Sequence, residues 1–104
     1  MNFFEDLNYN KEVEIIDIIL ENKNIRIERI LSSGQISEVY DQEEEEWVLL
    51  LDGESILELE GEEIHLKKGD SYYIKAHKKH RVVFTSENCL WLCVFVKQAK
   101  GLKN

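Results

Sequence analysis

From Asn24 onward the chain alternates apolar and polar residues with a period of two, the signature of half-buried strands. "IRIERIL" sets Ile25 and Ile27 against Arg26 and Glu28, and "ISEVY" is a short second run. "WVLLL" is apolar on both faces, as in a strand buried in a closed or double-layered sheet. "SILELEG" places Leu57 and Leu59 opposite Glu58 and Glu60, and "EEIHLKKG" places Ile64 and Leu66 opposite Glu63, His65 and Lys67. "SYYI", "HRVVFT" and "LWLCVFVKQ" complete about eight runs. Asp52-Gly53 is the strongest hairpin signal in the chain. Before Asn24 the period differs. In residues 11–22, "KEVEIIDIILEN", Val13, Ile16 and Leu20 recur at helical spacing with Ile15 and Ile19 alongside, which predicts a short amphipathic helix. The β-branched content leaves a strand as the alternative. The pattern as a whole predicts an all-β sandwich, jelly roll or small barrel with the helix at one end.

Length and charge narrow the function. With 104 residues, 43% of them apolar, the chain suffices for one domain with a real core. Acids outnumber bases 21 to 13, a net charge of −8, so DNA, RNA and anionic membranes are excluded as partners by repulsion. No run approaches the roughly 18 apolar residues of a membrane span. The N-terminus carries Glu5, Asp6, Glu12 and Glu14 in place of a basic-then-apolar leader, so a cytoplasmic protein is expected. Cys89 and Cys93 share one predicted strand and lie about 13 Å apart at ~3.3 Å per residue, too far for a disulfide, so both are expected as reduced core thiols. Trp47, Tyr72, Tyr73 and Trp91 are core residues by default, with lining a pocket as the alternative.

The chemistry-bearing residues cluster in two stretches. Glu46 ends the acidic run "EEEE", yet the alternation from Trp47 and Leu49 assigns it to a definite sheet face. "GDSYYIKAHKKH" closes with His77 and His80, which face opposite ways in a strand but can converge in a tight turn. His65 sits among charges in a hairpin and reads as solvated. Lys78, Lys79 and Arg81 read as a solvated basic loop.

These stretches resemble the two motifs of the small bacterial cupins. Gly34, Tyr40, Gln42, Glu46 and Gly53 fall at the spacing of the first motif, G-x5-H-x-H-x3-E-x6-G. Gly69 and His80 fall on the second, G-x5-P-x-G-x2-H, with residues 54–68 as the single hairpin between them. The resemblance implies a double-stranded β-helix (jelly roll) over residues 24–104, preceded by an N-terminal helical or extension segment, 1–23. Family metal ligands are two histidines and a glutamate from the first motif and one histidine from the second. Glu46 and His80 match, whereas Tyr40 and Gln42 occupy the histidine positions. In the alternative register of motif one, Val39 and Asp41 would take those positions. Lys75 replaces the proline of motif two and His77 its glycine. "YDQ…EWV" and "AHKKHRV" also resemble cupins that lack the histidine pair.

The resemblance therefore implies a barrel-mouth pocket bounded by Tyr40, Gln42, Glu46, His77 and His80 that binds a small molecule. It also implies at most one weakly held divalent ion (Zn, Ni, Fe or Mn) on Gln42, Glu46 and His80, and a homodimer. Two function classes stay open: a metal-free binder of a small polar ligand, and a metal-dependent isomerase- or oxygenase-type enzyme with His77 as acid or base.

Overall fold

The computed structural model describes residues 1–98 and contains eight strands and no helix among them. The strands are β1 (Ile15–Glu21), β2 (Ile25–Ser32), β3 (Glu45–Asp52), β4 (Glu54–Leu59), β5 (Glu62–Lys67), β6 (Ser71–Ile74), β7 (His80–Thr85) and β8 (Cys89–Val96). They form two antiparallel sheets, β1-β2-β8-β3-β6 and β5-β4-β7, packed face to face as a jelly roll. The core between them is built from Val48 and Leu50 of β3, Leu57 and Leu59 of β4, Leu66, Ile74, and Trp91, Cys93 and Phe95 of β8.

The helix expected over residues 11–22 is absent. β1 occupies that stretch and pairs antiparallel with β2, Ile16 opposite Ile30 and Ile18 opposite Glu28. Four isoleucines in five positions favour the pleated surface over a helix, where their χ1 freedom is lost. The Ile15, Asp17, Ile19 alternation then wins over the weaker helical spacing. "ISEVY" forms no strand of its own. The segment lies antiparallel along β7, with Ser37 N donating to Val82 O at 2.9 Å and a bridge between Tyr40 and His80. That segment walls one side of the barrel mouth.

Asp52-Gly53 is not a hairpin either. β3 and β4 belong to different sheets, and Gly53 turns the corner between them at φ +88°. A Cβ there would collide with the carbonyl oxygen of Asn88 and lie 2.9 Å from Cys89 Cα, so the backbones approach too closely for any side chain. The true tight hairpin joins β4 and β5 through Glu60 and Gly61, both at positive φ.

The outer face of the large sheet is unusually apolar. One row crosses all five strands in register: Leu20, Ile27, Val94, Trp47 and Tyr73. Trp47 and Tyr73, expected in the core, are 38% and 49% exposed there. The other end of that face is covered by the N-terminal segment. Buried Arg29 holds the segment in place, donating to the carbonyls of Phe3 and Glu5 and to Asp17.

Candidate functional site

The register that sends the apolar row outward sends polar side chains in. Arg26, Phe95, Glu46 and Ile74 are cross-strand neighbours on the inner face, and Glu28, Cys93 and Val48 form the next row. With Tyr40, Gln42 and His80 they line a cavity of about 240 Å³ at the barrel mouth. At ~30 Å³ per water this is room for about eight waters, or a ligand of similar atom count. Apolar walls come from Ile30, Leu57, Val82 and Trp91.

Glu46 and His80 face each other inside it. Both are buried, 8% and 6% exposed, and Glu46 Oε1 lies 3.8 Å from His80 Nε2. His80 Nδ1 lies 2.8 Å from the carbonyl oxygen of Lys78, which can only accept. Nδ1 is therefore a donor, and Nε2 is the nitrogen that faces Glu46. Gln42 Nε2 donates to Glu46 Oε1 and to the Glu44 carbonyl, both at 3.2 Å, which fixes the amide orientation. Burial raises the Glu46 carboxyl to about 7, against the smaller opposing effect of the hydrogen bonds from Gln42 and Cys93. A carboxyl that exchanges its proton near neutrality beside an imidazole can accept or deliver a proton to a bound molecule.

Arg26 is present but occupied. Its Nη1 and Nη2 donate to Glu44 at 2.7 and 3.2 Å, its Nε donates to Glu28 at 2.7 Å, and its guanidinium lies 4.2 Å from the Phe95 ring centroid. The bonds to Glu44, and then those to Glu28, hold its proton more firmly than usual despite burial. Glu14, at the end of the N-terminal segment, also lines the cavity and accepts from Ser32 Oγ at 2.8 Å. The Cys93 thiol is fully enclosed, and burial pushes it well above the usual range, so it acts as wall and not as nucleophile.

Four of the five pocket residues read from the sequence line this cavity: Tyr40, Gln42, Glu46 and His80. His77 is not among the lining residues. It is exposed on the loop between β6 and β7, and its Nδ1 lies 2.9 Å from Asp41 Oδ1. Its φ of +62° explains why the position carries glycine in the motif. Arg26, Glu28 and Glu14 were not legible as site residues. Arg26 and Glu28 sit at alternate positions of an ordinary strand pattern, and only the inverted facing of β2 turns them inward.

A resident metal does not fit these residues. Glu46 and His80 supply two donors, while Gln42 directs its amide nitrogen, not its oxygen, at Glu46. Among the described residues no group of three or more His, Cys, Asp or Glu side chains is placed to hold a metal ion.

A jelly roll with a polar cavity at its mouth, fed by a glutamate from β3 and a histidine from β7, defines a small cupin. Residues 27–95 match the cupin domain, and the chain belongs to that family. A protein of Ralstonia eutropha JMP134 named a "putative mannose-6-phosphate isomerase" is 35% identical over 94% of this chain and 97% of its own, with a TM-score of 0.88. KdgF from Halomonas sp. is 18% identical over 99% and 97%, with a TM-score of 0.78. An RmlC-like cupin from Shewanella frigidimarina is 15% identical over 98% and 94%, with a TM-score of 0.77. The last two likenesses concern the fold alone. A comparison with curated proteins gives no match.

Proposed function

We propose that this cupin binds a small polar molecule in the mouth cavity, with Glu46, His80 and Gln42 contacting its polar groups and Tyr40 forming one wall. The observation that carries the reading is the buried pair itself, His80 Nε2 opposite Glu46 Oε1 at 3.8 Å in a cavity that opens at the barrel mouth. A ligand hydroxyl or amine placed between them can hydrogen-bond both. The name of the Ralstonia eutropha relative points the same way, to a small polar metabolite.

Any divalent ion (Zn, Ni, Fe or Mn) is weakly held, at Glu46 and His80 alone, because Gln42 turns its amide nitrogen and not its oxygen towards the pair. Elemental analysis of protein purified without tag or chelator then gives well under one equivalent. A full equivalent of one transition metal would favour the second reading, a metal-dependent enzyme of isomerase or oxygenase type. That reading draws on the same Glu46–His80 pair.

We propose further that two copies pair through the apolar outer row and that the protein works in the cytoplasm. The exposed row crosses five strands ~4.8 Å apart, an apolar stripe about 20 Å wide that a second copy can cover. The two buried, unpaired thiols suit a reducing compartment. A sedimentation mass of one chain at micromolar concentration would refute the dimer.

A further inference from the structure

We infer that the ligand is amphipathic, a compact hydrocarbon body carrying one hydroxyl head, and that a polyhydroxylated molecule of the same size is rejected. This rests on reading the cavity as the ligand site and narrows the class of ligand. The lining is segregated along the strands. One cross-strand row carries Arg26, Phe95, Glu46 and Ile74, and His80 of β7 faces Glu46 there. Two rows along, the large sheet contributes Ile30 beside Trp91, and the facing sheet contributes the cross-strand pair Leu57 and Val82. At ~3.3 Å per residue, the four-residue step from Arg26 to Ile30 carries the lining about 13 Å from the polar end to a hydrocarbon wall.

An apolar wall alone would not exclude a polyol. The second observation is that polar side chains beyond the Glu46–His80 pair are already committed. Arg26 is held by Glu28 and by Glu44. Ser37 Oγ accepts from Val82 N and donates to the Glu38 carbonyl. Glu14, at the exposed rim, accepts from Ser32 Oγ. Each further hydroxyl of a polyol would exchange water for the hydrocarbon of Ile30, Leu57 and Val82, a loss of about fivefold or more in affinity per group. A single hydroxyl escapes this loss. It both donates and accepts, so it serves Glu46 Oε1 and His80 Nε2, 3.8 Å apart, whichever of the two carries the proton. The volume of about 240 Å³ limits the whole ligand to about eight non-hydrogen atoms at ~30 Å³ each, a six-membered ring with its head or a chain of similar size.

The test uses two probes of one ring, cyclohexanol and myo-inositol, and the straight-chain primary alcohols from butanol to octanol, each titrated into the intact protein and followed by NMR. The Trp91 indole and the His80 ring report the cavity, and Trp47 on the outer face reports surface binding. Cyclohexanol is expected to shift Trp91 and His80, and myo-inositol to shift neither. Along the chain series affinity should rise about fourfold per methylene and stop rising at about seven carbons, where the cavity is full. Ile30→Val, which frees the room of one methylene, should move that stop about one carbon further. Val82→Thr, of the same shape but with a hydroxyl in the wall, should weaken cyclohexanol about fivefold, with an unchanged Trp47 environment as the check on folding. Inositol binding as tightly as cyclohexanol at Trp91 and His80, or chain alcohols whose affinity ignores length, overturns the amphipathic class and leaves the ligand cavity standing. Shifts confined to Trp47, or none from any probe at tens of millimolar, overturn both.

Discussion

Replacing Glu46 by glutamine should stabilise the protein increasingly as pH rises. The folded-state carboxyl titrates near 7, whereas the unfolded chain's titrates near 4.5, because burial disfavours the ionised form. Between those values the folded state binds more protons than the unfolded state, so stability falls as pH rises. At 1.36 kcal/mol per unit the full penalty is about 3 kcal/mol, absent below pH 4.5 and complete above about 7.5. Glutamine keeps the acceptor that Gln42 donates to and cannot ionise. Urea denaturation of both proteins at pH 5, 6, 7 and 8 gives the stability difference at each pH, in which all other titrating groups cancel. The variant should gain roughly 2–3 kcal/mol on the wild type across this range, most of it between pH 5 and 7. A difference that is flat with pH would show that Glu46 ionises as a solvated carboxylate, and its burial on the inner face would be wrong.

Gly53→Ala should cost about 3 kcal/mol by thermal or urea denaturation. It combines a left-handed backbone with a collision against the Asn88 carbonyl. His77→Gly should leave stability unchanged or raise it by up to about 1 kcal/mol, since glycine adopts the φ of +62° freely, whereas His77→Val should lower it by about 1–2 kcal/mol. A loss on His77→Gly would mean that the Asp41 contact outweighs the backbone strain. Cys89, raised to about 12 by burial, and Cys93, raised well above the usual range, should both resist a thiol reagent at pH 8 until denaturant is added.

The sequence carried the strand content because period-two alternation survives in nearly every run, and it carried Glu46 because Trp47 and Leu49 fix the opposite face. What it concealed has physical causes. A positive φ is needed both at a hairpin and at a corner between sheets, so Asp52-Gly53 could not say which it made. The N-terminal run satisfied helical and strand spacing together, and the pairing of Ile16 with Ile30 decided it. Most consequential is β2. In an ordinary one-sided sheet Ile25 and Ile27 would face the core and Arg26 and Glu28 the solvent. Here the outer face is itself apolar and the cavity holds Glu46 and His80, so Arg26 and Glu28 turn inward beside them. Periodicity reports which residues share a face but not which face is inside.

The central claim is that the Glu46–His80 cavity binds the ligand, and its most direct measurement is the ligand response of His80→Gln. Small polar molecules screened by NMR against the wild type should shift Gln42, Glu46, His80 and Trp91 together. His80→Gln, with its fold confirmed by an unchanged Trp47 environment, should lose that binding by about tenfold or more, having lost the imidazole that faces Glu46. Undiminished binding to folded His80→Gln, or shifts that map away from these four residues, would contradict the account.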